Sequence, residues 1–162
     1  KGRFLEVSSY FYGRYVGGDF RYTNVLGTYN QYWRLPWGRD HFLASNTFVN
    51  LNFGNPPFVH LSPAGGEDIL RGYPRNRYRD LRFLGTQLEY RMPLFWRIGV
   101  VGFAGVGEVF DRFSDVRLDN LKYSFGGGLR LMLNRKERVN IRLDYGIGRG
   151  STGFYLGVME AF

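Results

Sequence analysis

The stretch Leu84-Gly85-Thr86-Gln87-Leu88-Glu89-Tyr90-Arg91-Met92 decides the fold. Alternate residues form two sets. One reads Leu84, Thr86, Leu88, Tyr90, Met92 and the other Gly85, Gln87, Glu89, Arg91. Successive side chains of a strand point to opposite faces, so this segment is a strand with one greasy and one polar face. The pattern returns where Phe125, Gly127, Leu129, Leu131 and Leu133 oppose Gly126, Gly128 and Arg130. It returns again where Val139, Ile141, Leu143, Tyr145 and Ile147 oppose Asn140, Arg142, Asp144, Gly146 and Gly148.

Working outward, eight such segments follow one another, separated by Gly, Pro, Asn and Asp clusters. They run roughly Arg3–Val16, Phe20–Arg34, His41–Gly54, Leu81–Met92, Trp96–Phe110, Leu121–Asn134, Val139–Gly148 and Gly153–Phe162. None holds an apolar 3.6-residue spacing over three turns, so long helices are not expected. Short connections imply antiparallel hairpins, because parallel strands need crossovers of a dozen or more residues. Eight meandering strands with no covering helices point to a sandwich or a barrel.

Composition narrows the class. Hydrophobic residues make up 44% and aromatics 19% of the 162 residues, which excludes a disordered chain. The absence of Cys excludes a disulfide scaffold and a thiolate metal site, and two His residues (His41, His60) give no basis for a zinc site. No run of about 18 apolar residues exists to form a membrane-spanning helix.

Alternation alone does not say which face is inside. A soluble, lipocalin-like barrel packs its greasy face inward; a membrane barrel turns that face to lipid and encloses a polar lumen. Segments of about 10–14 residues exceed the usual soluble strand and suit a tilted membrane crossing. Aromatics gather at segment ends, as in interfacial girdles: Tyr15, Phe20, Tyr22, Tyr32, Trp33, Trp37, Tyr90, Phe95, Trp96, Phe110, Tyr123 and Phe162. The expected fold is therefore an all-β, eight-stranded antiparallel transmembrane β-barrel spanning residues 1–162. Leu84, Leu88, Tyr90, Leu129, Leu131, Ile141, Leu143 and Tyr145 should face lipid. Gln87, Glu89, Arg91, Arg130, Arg142 and Asp144 should face the lumen, with Arg142 and Asp144 neutralising each other.

Connections at Leu35–Asp40, Pro93–Phe95 and Arg135–Arg138 are short, whereas Asn55–Asp80 is long and Asp111–Asn120 intermediate. Outer-membrane barrels show such an alternation, with short periplasmic turns and longer outer loops. Both chain ends would then be periplasmic, and the 55–80 loop extracellular or folded into the lumen.

Three motifs carry a resemblance. The first is Arg71-Gly72-Tyr73 in the long loop. The second is Leu88-Glu89-Tyr90-Arg91-Met92-Pro93. The third is Phe103-Ala104-Gly105-Val106-Gly107-Glu108-Val109-Phe110-Asp111, with its Gly-x-Val-aromatic-Asp ending. Together they resemble the BamA superfamily of outer-membrane barrel assembly and translocation proteins, which includes TamA and the two-partner secretion transporters. The resemblance implies that Arg71 latches onto acidic lumen residues, Glu89 among them. Gly105 stands where the family often has an Asp, so Arg71 is expected to lose one acidic partner. The last strand resembles an outer-membrane targeting signal, with Gly157 and a terminal Phe162 but Glu160 where a second aromatic is usual.

BamA-type barrels have sixteen strands, so the alternative fold is the C-terminal half of such a barrel; no POTRA repeat is present in these residues. The two folds differ at Arg71. An eight-strand interior holds only side chains, so a loop of this length could not thread it. Arg71 should meet Glu89 only in a larger barrel; in a closed eight-strand barrel Glu89 should pair with Arg91 or Arg130. The implied function is insertion, assembly or translocation of outer-membrane proteins without a cofactor. The alternative is a small structural or lipid-modifying barrel. Partners would be outer-membrane lipid and lipopolysaccharide, attracted by the net charge of +8, and client or assembly-complex proteins.

Other motifs lead nowhere. Gly146–Gly153 lacks the Lys and following helix of a phosphate loop and reads as a hairpin turn. Arg71–Tyr78 is broken by Pro74 as an RNA-binding strand, so no nucleic-acid partner is expected. His60 and Ser62 could be cast as base and nucleophile, but they sit on a Pro-rich loop, and no catalytic residue is assigned.

Overall fold

A computed structural model describes residues 2–13, 19–38, 40–134 and 139–158. The readings of Tyr15, of the turn at Arg135–Arg138 and of Phe162 lie outside the described residues. Within them the chain forms ten strands and no α-helix. These are β1 (Gly2–Tyr12), β2 (Tyr22–Arg34), β3 (Phe42–Gly54), β4 (Ser62–Ala64), β5 (Tyr78–Asp80), β6 (Arg82–Phe95), β7 (Ile98–Phe110), β8 (Lys122–Asn134), β9 (Val139–Gly148) and β10 (Ser151–Val158). Eight of them make one antiparallel sheet in the order β1-β2-β3-β6-β7-β8-β9-β10. β4 and β5 pair only with each other, as a small hairpin inside the loop between β3 and β6. β6 runs through Pro93 to Phe95 with a register irregularity, so Pro93–Phe95 is strand rather than connection. The turn is Trp96-Arg97, with Trp96 at φ +53°.

The two faces of this sheet have reversed polarity. Leu88 is 48% exposed, while its neighbours Gln87 and Glu89 are fully buried. Leu84, Leu129, Leu131, Tyr145, Phe154 and Leu156 also lie exposed on the outer face, with Tyr90, Ile141 and Leu143 half-buried. Arg130, Arg142 and Asp144 are buried on the inner face, and Arg91 half-buried. Two aromatics expected in girdles belong elsewhere. Tyr22 points inward and is buried under Tyr12 and His60, and Phe110 is buried against Phe113.

The sheet does not close on itself among the described residues: β1 and β10 each pair with one neighbour and not with each other. The closed eight-stranded barrel expected from the sequence is thus not seen among these residues. The physical reason lies in the loop between β3 and β6, which folds onto the inner face. It touches β2 through His60 and Tyr22, and β10 through Gly72 and Tyr155, so the sheet curls around it. Its apolar residues form the one compact core cluster among the described residues. Ala64, Ile69, Leu70 and Tyr73 pack on Phe83, with Phe48, Tyr78 and Val109 around them.

Candidate functional site

The loop tip is seated by backbone geometry before any charge is involved. Leu70 adopts φ +56° with its side chain fully buried, and Gly72 adopts φ +112°. A Cβ on Gly72 would lie 2.6 Å from the carbonyl carbon of Ile147, so only glycine lets the loop backbone rest on β9. The fit is mutual, because a Cβ on Gly146 would lie 2.6 Å from the carbonyl carbon of Arg71. Gly146, together with Gly148 against the Tyr73 ring, is therefore a clearance cut for the loop.

That seat delivers Arg71 to the floor of the inner face, where it is fully buried. Its guanidinium donates to Glu89 Oε2 at 2.5 Å and to Asp144 Oδ2 at 2.7 Å, and stacks over the Phe103 ring at 3.6 Å. Arg91 Nε donates to Glu89 Oε1 at 2.7 Å, Arg130 lies 3.7 Å from the same oxygen, and Arg130 also donates to Asp144. Three arginines and two carboxylates thus share one network across β6, β8, β9 and the loop. Buried charges survive only when paired and hydrogen-bonded, and here each carboxylate has at least two cationic partners.

Two expectations need correction. Arg71 keeps two acidic partners, the second being Asp144 on β9, although Gly105 carries no carboxylate. Arg142 and Asp144 do not neutralise each other. Arg142 instead reaches the loop, 3.0 Å from Glu67 and 3.8 Å from Asp68. Gly157 lies opposite Arg142, and a Cβ there would fall 2.6 Å from Arg142 Nε.

Hydrogen bonds fix the rest of the tripeptide. The Gly72 N–H donates to Tyr155 Oη at 2.9 Å, and the Tyr155 hydroxyl donates to the Tyr73 carbonyl at 3.2 Å. Ser151 Oγ donates to the Gly72 carbonyl at 2.7 Å. The buried Tyr73 hydroxyl donates to the Tyr123 carbonyl at 3.0 Å and accepts from the Arg149 N–H at 2.9 Å. The neighbouring arginines take no part in the network. Arg77 stacks over Tyr78 at 5.6 Å, and Arg79 over Phe58 at 5.3 Å. The sequence motifs do not single out Ser151 or Tyr155, and give Phe103 no role beyond its place in the third motif. The available signal was that Ser151 and Tyr155 share the polar face of their strand.

His60 and Ser62 do not form a nucleophile–base pair. Tyr22 and His60 Nδ1 are hydrogen-bonded, while Ser62 Oγ donates to the Asn50 and Leu81 carbonyls at 3.0 Å each.

The family model for the Omp85 superfamily domain matches residues 1–162. The chain belongs to the Omp85 superfamily. The resemblance carried by Arg71–Tyr73, Leu88–Pro93 and Phe103–Asp111 thus holds at superfamily level. A search of curated proteins finds no match to this Omp85 chain.

Proposed function

We propose that this Omp85 chain is part of an outer-membrane β-barrel that inserts or translocates outer-membrane proteins without a cofactor. The observation that carries the reading is the reversed polarity of the sheet. Leucines and aromatics cover the outside, while Arg71, Gln87, Glu89 and Asp144 are wholly buried inside. Water would expel such an exterior, whereas lipid accepts it and leaves the charges to a protein-lined lumen. β7 and β8 have 13 residues each, about 43 Å at 3.3 Å per residue, enough to cross a 30 Å hydrocarbon core at a tilt.

The barrel is larger than these eight strands. The loop with its β4–β5 hairpin fills an interior that a closed eight-strand barrel does not possess. Among the described residues β1 and β10 are the edges of the sheet, and an unpaired edge is a template for an incoming strand. Folding of a client outer-membrane barrel into liposomes, with and without the full-length protein, tests the function. Faster client folding at equal lipid supports it. An unchanged rate, with the protein shown to be folded in the same vesicles, overturns it.

A further inference from the structure

The inner face of β10 reads Ser151, Gly153, Tyr155, Gly157. Two of these positions have no side chain. The two that do both bond to the Arg71-Gly72-Tyr73 tripeptide. Ser151 donates to the Gly72 carbonyl, and Tyr155 accepts from the Gly72 N–H and donates to the Tyr73 carbonyl. Among the described residues β10 pairs with β9 alone, and its outer residues Phe154, Leu156 and Val158 are exposed. On its inner face, those three hydrogen bonds supply its polar ties to the loop.

The loop also holds the opposite end of the sheet. His60 is bonded to Tyr22, whose ring stacks on Tyr12 of β1 with centroids 4.3 Å apart. Between the two attachments lies a cavity of about 810 Å³, lined by Thr28, Asn30, Asn46, Asp68 and Tyr155 among others. The loop is thus tied to both flanks of the sheet, and between them Glu67 reaches Arg142 while Ile69 and Leu70 pack on Phe83.

We infer that residues 55–81 act as a strap across the open sheet, and that Tyr155 and Ser151 are the positioning residues through which Arg71 holds β10 in place. The coupling is short and covalent. Gly72 is wedged against Ile147 and Gly148, and any backbone shift at Arg71 carries with it the Gly72 N–H and Tyr73 carbonyl that Tyr155 holds. The relation is reciprocal, as any coupling between two equilibria must be. A strand that pulls β10 outward withdraws Tyr155 and loosens the seat of Arg71. The inference rests on the proposed membrane-barrel reading of the sheet, and not on client insertion.

Hydrogen–deuterium exchange of the full-length protein in nanodiscs tests it, because the readout is independent of insertion. Tyr155→Phe should speed exchange in 152–158 on the order of tenfold, in line with the loss of two neutral hydrogen bonds. β6, β7 and β8 should be unchanged. Arg71→Lys should speed exchange in the same segment, and should add little in a Tyr155→Phe background. Ser151→Ala gives a milder version of the same effect, and with Tyr155→Phe decides the question if Arg71→Lys does not fold. Wild-type exchange in β10 of Tyr155→Phe, acceleration spread evenly over the sheet, or additive effects of Arg71→Lys and Tyr155→Phe would overturn the strap. If the exchange results hold and client folding is still not accelerated, the proposed function fails and the strap stands.

Discussion

Replacing Arg71 by Ala removes two charge-assisted hydrogen bonds, to Glu89 at 2.5 Å and Asp144 at 2.7 Å, and the stack over Phe103. Removing one member of a buried ion pair costs roughly 3–5 kcal/mol when its partner is left bare. Here neither partner is left bare. Arg91 and Arg130 stay beside Glu89, and Arg130 stays on Asp144. The loss therefore falls at the lower end, about 3 kcal/mol, most of it expressed as easier detachment of the loop tip. At 1.4 kcal/mol per decade this is about a hundredfold more time spent detached. Limited trypsin digestion reads it directly, since Arg75, Arg77 and Arg79 lie in the loop. Cleavage tracks the open population when opening is fast relative to proteolysis. Arg71→Lys keeps the charge but not the planar fork or the stack, and should fall between wild type and Arg71→Ala. Wild-type cleavage of the loop in Arg71→Ala would refute the reasoning.

Three further outcomes follow from the same geometry. Gly146→Ala should free the loop about as much as Arg71→Ala in the trypsin assay, because its Cβ would meet the Arg71 carbonyl carbon at 2.6 Å. Gly102→Ala, with nothing within 4 Å, should be silent. Tyr73→Phe removes a donor to the Tyr123 carbonyl and an acceptor for the Arg149 N–H. It should lower stability by about 1–3 kcal/mol in thermal unfolding monitored by gel mobility. Leu143→Arg, on the outer face, should cost about 2–4 kcal/mol if it lies near the bilayer midplane, measured by denaturant titration in liposomes.

The strands were legible because a period of two is written residue by residue; Leu84–Met92 already separates its faces. Closure was not, because alternation describes each strand and says nothing of how many strands complete a barrel. The loop's destination was half legible. Arg71 and Glu89 could be paired by motif, and in the structure they meet. Their other partners could not be read. Asp144 and Arg142 looked like a local pair at i,i+2, but the loop brings Glu67 to Arg142 and leaves Asp144 to Arg71 and Arg130. The loop carries four arginines from Arg71 to Arg79. Only Arg71 enters the ionic network, while Arg77 and Arg79 stack on aromatic rings. The polar-face glycines carried the least visible message. The small size of Gly146 and Gly148 matters for Arg71 and Tyr73, 75 residues away in sequence, and no local pattern announces that.

The central claim is that the apolar outer face meets lipid and the charged inner face does not. Single cysteines at Leu88, Leu143 and Phe154, and at Gln87, Arg142 and Asp144, introduced into a chain with no native Cys, test it with a membrane-partitioning thiol reagent in intact outer membranes. Labelling of the first three and protection of the last three is the expected result. Labelling at Arg142→Cys together with protection at Leu143→Cys would contradict the account and turn the sheet inside out.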